Sequence, residues 1–304
     1  MNPNPSIQPI HYLSTSNLQV DMLRLDEIHP IISGNKWYKL KYYIQEAIKV
    51  QAAYIASFGG PYSNHLVALA FAAKQQNIPC IGYVRSNEDE PITPTLQEAL
   101  NYGMELVFVG RERFKEKKDG MVKGLHLSTS TRIYYIDEGG YGPLGAKGAA
   151  TILSKEDGQN TNEHYYAQYD YIICAVGTGT MIAGIINAAG AHQNVIGIPV
   201  LKNAESIGAE IKALLINPDK EFILLHDFHQ GGYAKITPAQ IEFMNALWAQ
   251  EKIPTDIIYT GKVAFAVDQL VQANYFKPES KVLLIHSGGL QGNRSVKAGV
   301  LQFD

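Results

Sequence analysis

Short apolar runs alternate with stretches of helical periodicity from residue 53 onward, and this alternation constrains the fold more than any other feature of the chain. Parallel strands need crossover connections, which helices supply, so the pattern predicts parallel sheets covered by helices on both faces. The predicted strands are residues 18–25, 53–57, 80–84, 105–109, 132–136, 171–176, 195–198, 222–225 and 281–286. The predicted helices are one that ends at residue 50 and those at residues 64–76, 95–102, 146–153 and 237–248.

A chain of 304 residues is too long for one compact core of ordinary size, so we expect two lobes. The predicted fold class is α/β, with two open, doubly wound parallel-sheet domains. We assign residues 1–45 and 154–304 to a large domain and residues 46–153 to a small α/β domain, and we predict a surface loop in the polar stretch 154–162. Ligands are expected in the cleft where loops leave the carboxyl ends of the strands.

Charge and hydropathy exclude several classes of partner. A net charge of -3 without long basic runs gives no electrostatic footprint for nucleic acid or for an anionic membrane surface. No window reaches the roughly 18 apolar residues of a membrane span, and the first residues lack the charged start of a signal peptide, so we expect a cytoplasmic protein that binds small molecules. Cys80 and Cys174 sit in apolar runs that suit buried hydrophobes. His65 and His286 have no partner at metal-ligand spacing, so we predict no metal site.

A glycine loop at residues 177–180 leaves one predicted strand and opens a helix. Its backbone N–H groups, with the hydroxyls of Thr178 and Thr180, form an anion site. The spacing G-x-G-x-x-x-x-G and the lack of an acid after the next strand favour a monophosphate over a dinucleotide. Because residues 177–180 contain no cation, we expect the anion to be held without a paired lysine or arginine.

Two further segments carry candidate chemistry. Lys36 follows Gly34 and Asn35 at the edge of a helix, where its amine can project into a cleft and form an imine. Ser63, Asn64 and His65 are presented together at another helix start. The alternative for this second segment is that Ser63 or Asn64 merely caps the helix. Neither Ser63 nor Ser287 sits in the G-x-S-x-G pattern of a serine hydrolase.

Taken together, these loops resemble the pyridoxal-phosphate enzymes of the tryptophan-synthase β fold, known as fold type II. Within that family the chain is most similar to the branch of 1-aminocyclopropane-1-carboxylate deaminase and D-cysteine desulfhydrase. The matching segments occur in the family's order and are residues 33–36, 59–65, 139–145, 177–180, 259–262 and 286–289.

The resemblance implies a cofactor, pyridoxal 5'-phosphate, in the cleft between the domains, with the large domain binding it. Lys36 would carry the cofactor as an imine, and Asn64 would contact its ring hydroxyl. Thr260 or Ser287 would face the pyridine nitrogen. The phosphate would be held by Gly177, Thr178, Gly179 and Thr180. The residues facing the substrate would be Ser63, His65, Tyr233 and Tyr259, with Lys36, Ser63, Tyr233 and Tyr259 catalytic. A homodimer is also implied.

By the same resemblance the protein is a deaminating lyase of small amino acids. D-cysteine desulfhydrase activity, giving pyruvate, ammonia and sulfide, is the first reading, and 1-aminocyclopropane-1-carboxylate deaminase activity, giving 2-oxobutanoate and ammonia, is the alternative. A further alternative is a catalytically idle relative that binds the cofactor or an amino acid. In the deaminase pattern a glutamate stands where this chain has Thr260. A hydroxyl stabilises a pyridinium less than a carboxylate does, which favours elimination of a thiolate over ring opening.

Overall fold

The computed structural model describes residues 4–87, 89–115, 132–153 and 166–303, and the predicted loop at 154–162 lies outside these ranges. Within them, strands and helices alternate along most of the chain. In chain order the elements are β1 (Ser6–Pro9), β2 (Leu18–Arg24), α1 (Asn35–Lys49), β3 (Tyr54–Gly59), α2 (Asn64–Gln75), β4 (Cys80–Val84), α3 (Pro94–Asn101), β5 (Met104–Phe108), α4 (Arg111–Lys115), β6 (Ile133–Ile136), α5 (Pro143–Ala150), β7 (Tyr171–Val176), α6 (Thr180–Ala188), β8 (Asn194–Pro199), α7 (Ile207–Lys212), β9 (Ile223–Leu224), α8 (Pro238–Glu251), α9 (Thr260–Gln272) and β10 (Ser280–His286).

The larger sheet has six strands in the order β1-β2-β10-β7-β8-β9. Strands β2 and β10 run parallel and in register, so that Arg24 lies opposite His286 at their carboxyl ends. Strand β1 pairs antiparallel with β2 at the edge. The sequence pattern predicted no strand there. The short connection from β1 to β2 contains no crossover helix, and without one the chain can only turn back antiparallel.

The smaller sheet has four parallel strands in the order β5-β4-β3-β6. All five residues of β4 are buried, as expected for a strand covered on both faces. The predicted fold class, α/β with two parallel sheets, is therefore confirmed. The strands of the larger sheet come from residues 6–24 and 171–286, and those of the smaller sheet come from residues 54–136. The exact domain boundaries remain a proposal.

Local signals mark the starts of several helices, whereas α4, α7 and α9 were not predicted. Thr93 and Thr237 accept hydrogen bonds from the backbone N–H groups of Leu96 and Gln240, and each is followed by a proline in the first turn of its helix. Helix α5 differs from the prediction, since it begins at Pro143 and ends at Ala150. Among the described helices, none is long and apolar enough to cross a lipid bilayer.

Both cysteines are buried and unpaired with one another. Burial raises the pKa of the Cys80 thiol and of the Cys174 thiol to about 12, so neither forms a thiolate near neutral pH. This agrees with their predicted role as small buried hydrophobes.

Candidate active site

The carboxyl ends of strands from both sheets open onto one cavity of about 410 Å³. Loops after β3, β6, β7 and β10 contribute to its wall, as the rule for open parallel sheets predicts. The predicted site residues that line the cavity are Lys36, Ser63, Asn64, His65, Gly177, Thr178, Gly179, Tyr233, Tyr259 and Ser287.

The loop before α1 brings Lys36 into this cavity. Gly34 has φ 69°, and a Cβ atom there would lie 1.9 Å from the Ser287 backbone oxygen, so only glycine fits this crossing of two backbones. The Asn35 N–H donates to the same Ser287 oxygen at 3.0 Å. Lys36 thus starts α1 with its amine beside the exit of β10, where Nζ donates to Asn35 Oδ1 at 3.1 Å. Burial lowers the pKa of Lys36 to about 8, which makes the neutral, nucleophilic amine accessible near physiological pH.

The predicted phosphate loop has the expected form. Gly179 has φ 76° and is the N-cap of α6, while the hydroxyls of Thr178 and Thr180 lie 3.1 Å apart. The expectation that no cation would accompany this loop is wrong, because Lys39 Nζ lies 3.5 Å from Thr178 Oγ1. Burial lowers the pKa of Lys39 well below its usual value, and the charge of Lys36 lowers it further. An anion at the loop would raise the pKa of Lys39 and so oppose both effects.

Residues at the start of α2 combine structural and cavity-facing roles. Ser63 accepts a hydrogen bond from Leu66 N at 3.3 Å, so it caps the helix, and it also lines the cavity. Asn64 Nδ2 donates to the Gly289 oxygen at 3.3 Å, whereas Asn64 Oδ1 is buried and has no hydrogen-bond partner among the described residues. A buried acceptor without a partner is costly unless a ligand supplies a donor.

His65 holds its helix against the smaller sheet. Ser57 Oγ donates to the Ile136 oxygen at 2.7 Å and lies 2.7 Å from His65 Nε2, so Nε2 carries the hydrogen and donates to Ser57. This bond joins α2, β3 and the end of β6. The predicted substrate contact of His65 is therefore combined with an anchoring role.

Tyr233 and Tyr259 meet at the wall of the cavity. Their ring centroids are 6.4 Å apart in an edge-to-face arrangement, and their hydroxyls are hydrogen-bonded to one another. Burial raises the pKa of Tyr259 well above its usual value, and the Tyr233 hydroxyl raises it further. Burial around its hydroxyl also raises the pKa of Tyr233, although 44% of that residue's surface is exposed. Both phenols therefore remain protonated at neutral pH and can donate a proton.

The two hydroxyls that were candidates for the pyridine nitrogen differ in position. Thr260 does not line the cavity, because its Oγ1 donates to Asp256 Oδ2 at 2.6 Å and accepts from Asp256 N at 2.8 Å. Asp256 also receives the N–H groups that open α9. Thr260 is thus part of a buried helix cap. Thr180 is also buried and does not line the cavity, although its hydroxyl lies beside that of Thr178. Ser287 lines the cavity and remains the hydroxyl candidate for this nitrogen.

Three charged residues on the cavity wall were not predicted, and two of them had a usable signal. Lys39 lies three residues after Lys36 and therefore on the same face of α1. Arg85 directly follows β4, at the carboxyl end where ligands gather. Glu138 opens a short 3₁₀ turn after β6, directly before the matching segment 139–145.

The donor set fits pyridoxal phosphate. The reactive Lys36 amine, the phosphate loop with Lys39, and the unsatisfied Asn64 Oδ1 line one cavity, and each matches a different part of the cofactor. Metal-type donors do not converge: in the described ranges no group of three or more His, Cys, Asp or Glu side chains is placed to hold an ion. His286 Nε2 instead lies 2.7 Å from the Pro254 oxygen, and its Nδ1 lies 3.2 Å from Asp26 Oδ1.

Comparisons with known proteins agree with the cofactor and the fold. The family model described as "Pyridoxal-phosphate dependent enzyme" matches residues 8–288. A putative 1-aminocyclopropane-1-carboxylate deaminase of Thermotoga maritima is 27% identical over 286 residues, which cover 89% of this chain and 88% of the relative. A mitochondrial bifunctional D-cysteine desulfhydrase/1-aminocyclopropane-1-carboxylate deaminase of Arabidopsis thaliana is 25% identical over 280 residues, covering 86% of this chain and 70% of the relative. Among solved structures, an ACC deaminase homologue superposes with a TM-score of 0.81 at 23% identity and covers 95% of this chain and 90% of its own.

Proposed function

The chain belongs to the pyridoxal-phosphate-dependent enzyme family, and on that premise we propose that it is a deaminating lyase that eliminates a β-substituent from small amino acids, with D-cysteine as the type substrate. The net reaction converts D-cysteine and water to pyruvate, ammonia and hydrogen sulfide. The cofactor, when bound, supplies an electron sink for charge that develops at the substrate Cα. The chain's own residues bind, orient and move protons.

Lys36 is the proposed base. Its amine would hold the cofactor covalently, and the same amine, once free, would be the base. With a pKa lowered to about 8 by burial, the freed amine can accept the proton from Cα near neutral pH. Lys39 and residues 177–180 would hold the phosphate and so fix the distance between Lys36 and the reacting carbon.

The tyrosine pair is the proposed acid. Loss of sulfur from Cβ requires a proton if hydrogen sulfide is to leave. Because burial keeps Tyr259 protonated and its hydroxyl is bonded to that of Tyr233, the pair can deliver a proton and replace it from the more exposed Tyr233. Ser63, at the start of α2, would orient the substrate at the helix N-terminus.

The observation that supports a β-substituted substrate is the environment of the pyridine nitrogen. Thr260, in the position of the deaminase glutamate, has its hydroxyl occupied by Asp256, and Ser287 offers only a hydroxyl to the cavity. A hydroxyl does not hold a positive charge on the ring as a carboxylate does. A weaker electron sink is adequate for expulsion of a good leaving group and less adequate for opening a cyclopropane ring.

The second candidate is 1-aminocyclopropane-1-carboxylate deaminase activity, giving 2-oxobutanoate and ammonia. Its support is the names of several relatives, together with the Tyr233–Tyr259 pair, which could protonate an opened ring carbon.

One preparation tests both. We expect kcat/KM for D-cysteine, followed by sulfide and pyruvate release, to exceed that for 1-aminocyclopropane-1-carboxylate, followed by 2-oxobutanoate, and Lys36→Ala to abolish both. A preference for the cyclopropane substrate would overturn the proposal. Turnover of neither substrate by protein that retains its cofactor would instead support the idle-relative alternative.

A further inference from the structure

Among the described residues, three lysine or arginine side chains line the cavity wall, and Arg85 is the one with no proposed contact to the cofactor. Lys36 is assigned to the covalent link and Lys39 to the phosphate loop, whereas Arg85 enters the same cavity from the smaller sheet at the end of β4. Its guanidinium carbon lies 5.5 Å from the centroid of the Phe114 ring. No described carboxylate pairs with it, and it is exposed to solvent at the cavity mouth.

The surroundings of Arg85 place its guanidinium where a substrate must pass. A Cβ atom built on Gly60 would lie 3.5 Å from an Arg85 terminal nitrogen, so the guanidinium faces the loop that leads into α2 and carries Ser63. Tyr233 lies across the mouth of the cavity. Burial raises its pKa overall, while its hydrogen bond with Tyr259 and the charge of Arg85 oppose that shift. The guanidinium therefore lies between the substrate-facing loop of one sheet and the tyrosine of the other.

We propose that Arg85 binds a carboxylate of the substrate at the cavity mouth and so determines which amino acids the enzyme accepts. This inference rests on the proposed function, because it takes an amino acid as the ligand. A planar guanidinium with two parallel N–H donors matches a carboxylate better than an ammonium does. An arginine that has no ion-pair partner among the described residues and lies over an aromatic ring can reach the ligand without first breaking a salt bridge to any of them.

The carboxylate can come from either of two parts of a substrate. It can be the α-carboxylate, shared with the N-terminus of α2, or a second acidic group in the β-substituent that reaches the mouth. The two sources predict different responses to changes in the ligand, so one set of variants distinguishes them.

The variants are Arg85→Gln, Arg85→Lys and, as a matched control, Arg111→Gln, which removes an exposed arginine outside the cavity wall. KM and kcat are measured with D-cysteine, which has one carboxylate, and with S-carboxymethyl-D-cysteine, which has two. Dissociation constants of the holoenzyme are measured for propionate and succinate by calorimetry. These two acids lack an amine, so they report carboxylate binding without any reaction at the cofactor.

Loss of a hydrogen-bonded charge pair weakens binding by about 10- to 100-fold. We expect Arg85→Gln to raise KM and the dissociation constants by that factor, Arg85→Lys to raise them less, and Arg111→Gln to leave them unchanged. An effect on both substrates and on propionate identifies the α-carboxylate. An effect confined to S-carboxymethyl-D-cysteine and succinate identifies a second acidic group.

Changes smaller than about threefold in every constant for Arg85→Gln would overturn the proposal, as would a loss confined to kcat, or a wild-type protein that binds neither acid. Failure of the proposed function is distinguishable. If the protein binds the two acids but turns over no amino acid, the dissociation constants alone decide the role of Arg85.

Discussion

Replacing Lys262 with methionine should impair catalysis through Tyr233, although Lys262 does not line the cavity. Lys262 lies in the first turn of α9 with none of its surface exposed. Its Nζ donates to the backbone oxygens of His229 and Gly232 at 2.8 Å and 2.6 Å. Tyr233 follows Gly232 directly, so the amine fixes the segment that carries the tyrosine.

The magnitude follows from the two hydrogen bonds. Methionine keeps the aliphatic stem of lysine but leaves two carbonyl acceptors unsatisfied, at a cost of about 1–3 kcal/mol each if the segment stays in place. His229 is only partly buried, so the segment can move and turn its carbonyls to water. We therefore expect the free energy of unfolding to fall by only about 1–3 kcal/mol, because the cost appears instead as displacement of Tyr233.

A double-mutant cycle measures this indirect action. If Lys262 acts by positioning Tyr233, the loss in kcat/KM for Lys262→Met cannot much exceed that for Tyr233→Phe, and the double variant should resemble the single variants. The reasoning would be refuted if Lys262→Met lowered kcat/KM by the same factor in the wild-type and in the Tyr233→Phe protein. Full activity of Lys262→Met would also refute it. Burial lowers the pKa of Lys262 to about 8, while the charge of Asp256 opposes the shift. Above that pH the neutral amine still has two N–H donors, so raising the pH should disturb Tyr233 less than methionine does.

Three further predictions concern Lys36 and Lys39. Borohydride reduction should fix the cofactor to the peptide carrying Lys36, and label at Lys39 would contradict the assignment. Because burial lowers the pKa of Lys36 to about 8 and only the neutral amine attacks, the rate of cofactor attachment should rise with pH through about 8 and then level off. Lys39→Met should weaken binding of pyridoxal phosphate by about tenfold or more while leaving pyridoxal, which has no phosphate, nearly unaffected, as equilibrium titration of each would show.

Buried parallel strands were the part of the fold most accessible from the sequence. Strands β4 and β7 coincide with the predicted ranges, because a fully buried strand is an uninterrupted apolar run bounded by turn residues. Strand β1 has no such run, and its residues are partly exposed or exposed. It forms because it pairs with the open edge of β2, and the local sequence of β1 does not show that this edge is available.

At the site, the residue types were easier to predict than the directions of their side chains. Gly179 illustrates this limit, because the motif alone would suggest that its missing side chain makes room for a phosphate. A Cβ atom there would instead lie 2.8 Å from Ile211 Cγ1, on the side of α7, and φ is 76°. Thr260 is a second case, since the buried Asp256 four residues earlier takes its hydroxyl. The direction of each side chain is set by its neighbours in the fold, and a motif match does not contain that information.

The charges of the cavity wall are complementary to the proposed ligands. Its described wall carries three cationic side chains, Lys36, Lys39 and Arg85, and one carboxylate, Glu138. Lys36 and Lys39 are buried close enough that the charge of one lowers the pKa of the other, so the free protein favours loss of a proton from this pair. A phosphate beside Lys39 reverses that preference and raises its pKa, whereas covalent attachment needs Lys36 neutral. If the cofactor binds as proposed, two lysines three residues apart on one helix would be held in opposite protonation states by its two ends, and Arg85 would be left for the substrate.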